Sequence, residues 1–347
     1  SSDVCSSDLN LTLQGGYLVA AKGITFNATA PTTTSGTLYG ESGALLWDGV
    51  SISTPTAWDG LVKQTTSGVY AYNRTGYIVA SDTSSPYDIG AVFNALVVNL
   101  KGSNSNDKGL LSSGGHGMST IMMDVQGYTN STLWLYPNMV VTSPGLSSVV
   151  TYDHIPIFKA NQTDYWNSWI KIEKLELGYK GTTAPYNHGL VEIYNPQTVW
   201  MKDIVNTGLY CAYNTKNWQS LIFSANLSLS WLVFVEGCDC MTIHFDDVSD
   251  SYVTDNVIFG EAKVQHQIKL TDSSGSIHIL DNHIICYPGA GIYTENAAAL
   301  GMLDIRGNMF DGGGVNRGGS SAGTGIMGEG SLSWYNAVIS GNTFWGI

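Results

Sequence analysis

The chain has 347 residues, with 15 Lys and Arg against 28 Asp and Glu, for a net charge of −13. Its only arginines are Arg74, Arg306 and Arg317, so it cannot build the basic groove that phosphate backbones require, and a nucleic-acid partner is excluded. Charged residues make up 12%, against about 25% in ordinary soluble domains, yet 43% of residues are apolar and can fill a core. No apolar run reaches the roughly 18 residues that a membrane span needs.

With so little charge, the polar surface is Ser, Thr, Asn and Gly, a composition that suits an extracellular protein or a cell or virion surface. Residues 1–9, SSDVCSSDL, lack the layout of a secretion signal. They are similar to translated sequencing-adapter read-through at the edge of a metagenomic reading frame, and are set aside as non-native. Residues 10–84 form a Thr- and Gly-rich segment with strand-like pieces (GYLVAA, GALLWDG, GVYAYN) and no assignable role. The five cysteines show no C-x-x-C or zinc spacing, which points to buried free thiols.

The stretch SPYDIGAVFNAL predicts a short amphipathic helix over 86–97, with Ser85 as N-cap and Pro86 in the first helical position. Strand-like pieces follow from Ser119 to Tyr152 and again at Trp169–Leu177.

The C-terminal half repeats. SYVTDN, IHILDN, LDIRGN and AVISGN align on Asn256, Asn282, Asn308 and Asn342. Three positions before the asparagine stand Val253, Ile279, Ile305 and Ile339, and two positions after it stand Ile258, Ile284, Phe310 and Phe344. A second track places Ile243, Ile268, Ile292 and Ile326 between these copies, extended upstream by GLVEIY and GLYCAY. Each period therefore holds at least two short alternating strands separated by Gly, Asn and Asp turns. One such unit cannot bury its inward side chains alone, but stacked copies can. The pattern predicts an all-β, single-stranded, right-handed parallel β-helix, with the asparagines in left-handed turns and hydrogen-bonded along the axis. The chain stops at Thr343–Ile347, inside the last Asn copy. The C-terminus is therefore expected to be truncated, and the isolated chain to self-associate as a homo-oligomer through its last rung.

Residues 85–347 resemble the pectate-lyase-like β-helix superfamily, on the Asn track, the SPYDIGAVFNAL helix and the Ser119–Tyr152 strands. The resemblance implies that the helix caps the N-terminal end of the core. It also implies a polysaccharide or glycan partner, since the superfamily holds lyases, hydrolases, epimerases, tailspikes and adhesins. Two family motifs are incomplete. Gly115-His116-Gly117 and Asp246-Asp247 stand in reversed order for a polygalacturonase, and Ile268-Lys269-Leu270 lacks its arginine. The arginine base of a pectate lyase has no counterpart in the acidic row, because Arg306 lies in the Asn track and Arg317 in the insertion that follows it.

Chemistry is expected on outward positions of the second track. His244, Lys269, Tyr293 and Met327 alternate with inward residues, with Tyr210 earlier in the chain. Asp246, Asp247, Asp272 and Glu295 follow at the strand ends. Copies on neighbouring strands lie about 4.8 Å apart, so carboxylates would be separated by roughly 5 Å or roughly 10 Å, and calcium is a candidate cofactor. The four acids are the candidate catalytic residues, and Tyr210, His244, Lys269 and Tyr293 the candidate substrate-binding residues. The alternative for the acids is that of solvated turn residues. Three functions stay open: a secreted polysaccharide lyase or glycoside hydrolase, a non-catalytic glycan-binding adhesin or tailspike-like module, and a structural surface protein.

Overall fold

A computed structural model describes residues 38–41, 44–47, 50–51, 58–74, 76–101, 119–153, 155–161, 169–180, 189–195, 198–206, 219–224, 232–240, 242–259, 266–272, 274–286, 289–295, 299–312, 323–329 and 336–347. They are mostly β-strand with a single α-helix. Two compact units divide the chain, Ser1–Thr56 and Ala57–Ile347. In the first, Leu38–Glu41, Ala44–Trp47 and Val50–Ser51 form a small antiparallel sheet. In the second, the strands Gly60–Thr65, Gly68–Asn73 and Ile78–Asp82 precede the helix and are antiparallel to one another. The GYLVAA and GLYCAY segments, the Gly115-His116-Gly117 motif and Arg317 lie outside the described residues.

From Ser119 onward the strands pair in parallel, each with its equivalent one circuit further along the chain. The first ladder runs through Ser119–Asp124, Met139–Thr142, Trp169–Tyr179, Thr198–Asn206, Val233–Glu236, Ser251–Thr254, Ser274–Leu280, Ala299–Arg306 and Ala337–Ser340. A second ladder contains Gln126–Tyr128, Ser147–Thr151, Val257–Phe259, His283–Ile285, Met309–Asp311 and Thr343–Trp345, and shares the two longest strands with the first. The third is a separate eight-stranded sheet from Leu133–Leu135 to Thr324–Glu329. Among the described residues most repeats thus hold three strands, one in each ladder. The extra one is the three-residue piece after each asparagine, too short to announce itself by alternation.

In-register parallel pairing stacks like on like. Ile121, Val141, Ile172, Met201, Val235, Val253, Ile279 and Ile305 pair in turn and all are fully buried. Ile339 continues the column and is exposed because its strand is the last of the ladder. The sequence-predicted stack of Ile279, Ile305 and Ile339 inside the core therefore holds in register for all three and in burial for Ile279 and Ile305 alone.

The helix spans Ile89–Lys101 rather than 86–97, and its cap is Asp88, not Ser85. The Asp88 carbonyl accepts from the Val92 amide, and its Oδ1 accepts from the Gly90 amide at 3.0 Å. The same carboxylate accepts from the Thr129 hydroxyl, the Asn130 amide and the Ser131 hydroxyl, which ties the helix start to the first circuit. Ile89, Val92, Phe93, Leu96 and Val97 recur at helical spacing and are buried, and Phe93 meets Phe158 edge-on at 6.2 Å. This face belongs to the same apolar core as Val62, Val69, Ile121, Leu133 and Phe158.

The corner between the first two ladders carries the asparagine ladder. Asn256 Nδ2 donates to Asn282 Oδ1, Asn282 Nδ2 to Asn308 Oδ1, and Asn308 Nδ2 to Asn342 Oδ1, at 2.9–3.0 Å. Each acceptor oxygen also takes the backbone N–H of the preceding asparagine. The second amide proton reaches back to the carbonyl of Val235, Val253, Ile279 or Ile305. One expectation is corrected. The left-handed residue is the one before the asparagine: Asp255, Asp281, Gly307 and Gly341 have φ of 57, 56, 69 and 65°. Asx residues and glycine tolerate that region, and the asparagine itself is free to bond along the stack. At Gly307 a Cβ would lie 2.0 Å from Asp281 Oδ1, so a side chain there would oblige the exposed Asp281 carboxylate to shift.

Replacing Asn282 by Ala leaves the Asn256 amides without an acceptor and the Val253 carbonyl without its donor. The expected loss is on the order of 1–3 kcal/mol, seen as a lower midpoint in thermal or urea unfolding; an unchanged midpoint would show that the ladder carries no stability.

Candidate functional site

The strongest cluster of polar chemistry lies on the outward side of the third sheet. Registers place Lys159, Glu192, Ile222, His244, Lys269, Tyr293 and Met327 in one column. Beside it, at the strand ends, run Tyr194, Ser224, Asp246, Thr271, Glu295 and Glu329. Ile243, Phe245, Ile268 and Leu270 are fully buried, which turns the alternate residues His244 and Lys269 outward as the sequence predicts.

Asp247 and Asp272 follow the strands as turn residues with φ of 54 and 47°. The Asp247 amide donates to the Thr271 carbonyl and the Asp272 amide to the Glu295 carbonyl, so the two turns stack directly. Asp246, Asp247, Asp272 and Glu295 therefore share one edge of one face. With strands about 4.8 Å apart, Asp247 and Asp272 are one step apart, and Asp246 and Glu295 are two. Tyr210 lies outside the described residues.

The cluster is internally bonded. Lys269 Nζ is 2.9 Å from Glu295 Oε2, Tyr293 donates to Glu329 Oε2 at 2.5 Å, and His244 Nε2 meets Thr271 Oγ1 at 3.1 Å. The His266 ring lies on the Tyr293 ring with centroids 3.8 Å apart, and its Nδ1 accepts from the Ala290 amide. A nitrogen that accepts cannot carry a proton, so His266 is neutral with hydrogen on Nε2. Burial, with Lys269 adding to it, pushes both His244 and His266 down to about 4. The Lys269 hydrogen bond holds the Glu295 carboxyl below its ordinary value. Asp247 moves the other way: burial raises it, and the neighbouring Asp246 and Asp272 add to the rise. The hydrogen bond to Glu329 and burial raise Tyr293 to about 12. For calcium, no group of three or more His, Cys, Asp or Glu side chains among the described residues is arranged to hold a metal ion.

Two further clusters escape the sequence reading. On the third sheet, three strands before His244, Lys159 Nζ sits 3.3 Å from the buried Glu192 and 5.1 Å from the Tyr194 ring centre. On the first ladder, Trp200, Phe234, Tyr252 and His278 stack along one outward column, with centroids 4.5–5.6 Å apart and planes within 22° of parallel. The column ends at fully buried Asp304, which accepts from Arg306 and lies 3.3 Å from His278 Nδ1. Tyr252, His278 and Asp304 each stand four residues before an aligned asparagine, so the outward position of the Asn track already carried the signal. Their faces cover one another and offer only edges to solvent, which suits a staple better than a stacking platform. Arg306 is thus committed to the first ladder, away from the acidic edge.

Comparison with known proteins identifies no relative: no protein-family model matches the chain. No curated protein and no solved structure matches it either. Among the described residues no helix is long and apolar enough to cross a membrane.

The two depressed histidines make a signed pH prediction. Between about pH 6.5 and 4 the unfolded chain binds protons on His244 and His266 that the folded chain does not, so stability falls as pH drops through that window. His244→Gln should flatten part of this slope in urea midpoints measured at pH 7, 6, 5 and 4.5; a slope identical to that of the parent chain would mean His244 takes up its proton without penalty.

Proposed function

We propose that the three ladders are the faces of one single-stranded right-handed parallel β-helix of the pectate-lyase-like kind, and that its third face acts on a polysaccharide outside the cell or on a cell or virion surface. The rotation of the chain through three parallel ladders, the helix packed into the apolar core and the asparagine ladder support the fold. The observation that carries the function is the asymmetric acid pair, Asp247 raised beside Asp272 on the edge of a polar strip. Each strand advances the strip by about 4.8 Å, near the length of one pyranose ring in an extended chain.

Hydrolysis is the chemistry this geometry supports best. A carboxyl whose hold on its proton is raised by burial and like charge is suited to protonating a glycosidic oxygen, and a second carboxyl group one strand away to serving as nucleophile. A one-strand separation is close to the roughly 5–5.5 Å of retaining pairs, whereas Asp246 and Glu295, two strands apart, stand near the roughly 9.5 Å limit of inverting pairs. The lyase chemistry that the resemblance implies needs a basic side chain that can take a proton from carbon, and the candidates are already engaged. Lys269 is held by Glu295 and Arg306 by Asp304.

A non-catalytic glycan-binding role is the second reading. It is favoured by the stacked left-handed turns of Asp247 and Asp272, a geometric duty that requires no catalysis.

Asp247→Asn keeps a residue at home in left-handed geometry and removes the proton donor. Against a polysaccharide panel with and without Ca²⁺, the parent chain should release reducing ends. The variant should lose at least about 100-fold in rate while still binding. Unsaturated product rings would establish a lyase instead; retention without cleavage would establish the binder; neither cleavage nor retention would sink the carbohydrate reading.

A further inference from the structure

We propose that the third-face strip takes a polysaccharide free of carboxylate and sulfate groups and rejects uronate chains, an inference resting on the reading of this face as a polysaccharide site. The argument is electrostatic and uses the column registers. Glu192, Asp246, Asp247, Asp272, Glu295 and Glu329 stand along the strip, against the ammonium groups of Lys159 and Lys269. Both ammonium groups are already engaged, Lys159 with Glu192 at 3.3 Å and Lys269 with Glu295 at 2.9 Å. The two histidines supply no positive charge near neutrality, since His266 Nδ1 accepts a backbone proton and His244 is half-buried against Thr271. Even with Asp247 protonated, the strip is left with a negative excess inside a chain of net charge −13.

A uronate lying on this surface would place its carboxylate within a Debye length, about 8–10 Å, of several like charges and meet no uncommitted cation among the described residues. A neutral sugar has the opposite relation to the same groups. Its hydroxyls donate, and carboxylate oxygens spaced about 4.8 Å apart along the strip are strong acceptors. The substrate class then agrees with hydrolysis, because eliminative cleavage needs the acidic carbon proton that a uronate provides.

Calorimetric titration decides it, using oligosaccharides of neutral β-glucan, galactomannan and xyloglucan against those of polygalacturonate and alginate, at low salt and at about 1 M NaCl. At least one neutral series should bind, with little salt dependence. The uronates should bind at least tenfold more weakly at low salt, and the gap should narrow at high salt, where the Debye length falls to about 3 Å. Glu295→Gln releases Lys269 and removes one negative charge, and should improve uronate binding several-fold. Glu329→Gln, which keeps a partner for Tyr293, should move it in the same direction should the first variant fold poorly. Uronate binding by the parent chain as tight as neutral binding, or no gain in whichever variant keeps its far-ultraviolet spectrum, overturns this inference and leaves the polysaccharide face standing. Binding of no oligosaccharide of either series overturns both.

Discussion

The constraint on which everything else depends is in-register parallel pairing at an offset of one circuit. It makes each side chain's nearest neighbour its own counterpart, about 4.8 Å away. Such a lattice rewards groups that attract copies of themselves and penalises groups that repel them. Branched aliphatics satisfy it inside, as the buried column from Ile121 to Ile305 does. Asparagine satisfies it at the corner because one amide both donates and accepts, so a row of identical residues can close its own hydrogen bonds. Aromatic rings satisfy it outside by stacking face to face from Trp200 to His278.

Carboxylates are the group this lattice tolerates least, and the third face shows how the conflict is managed. Along the strand-end column Thr271 is interposed between Asp246 and Glu295, and Lys269 reaches across one step to neutralise Glu295. At the turn Asp247 is partly buried with Asp246 and Asp272 beside it, and burial first, then the two like charges, raise its carboxyl. On the first ladder the same problem is solved differently: Asp304 is fully buried, but Arg306 two residues along bonds both its oxygens. The ordinary charge state of Asp304 is thereby secured, whereas that of Asp247 is left biased. This difference, rather than the number of acids, is what sets the third face apart as the chemically poised one.

How much was legible in the sequence follows from the same lattice. Positions repeated by identity were readable: the asparagines, the isoleucines three before them, and the isoleucines of the third sheet all align in the chain and in space. Positions repeated only by role were not. The strand after each asparagine is three residues long, below the length at which alternation can be recognised. The helix start was misjudged because Ser85-Pro86 carries the usual signal, whereas the residue that caps it is Asp88, recruited by Thr129, Asn130 and Ser131 from 41 to 43 positions along the chain. The Lys159–Glu192–Tyr194 cluster was missed because its members sit in circuits of irregular length, where no period guides the eye.

The left-handed corner links these observations. A backbone turn of positive φ recurs at this corner at Lys174, Asp203, Gly237, Asp255, Asp281, Gly307 and Gly341, and all but Lys174 are the Gly or Asp that this region favours. Where the following residue is asparagine, the corner becomes a hydrogen-bonded ladder, and Asp255 and Asp281 point away from it as exposed turn residues. At the end of the third sheet, Asp247 and Asp272 also take positive φ, but the residues that follow in the sequence are Val248 and Ser273, so no asparagine is at hand to build an amide ladder. Asp247 is only partly exposed and flanked by Asp246, so here the geometric choice of aspartate acquires a chemical consequence that it lacks at the other corner. A residue type suited to the backbone turn thus also comes to sit one strand from a second aspartate, because the repeat places Asp272 in the equivalent turn.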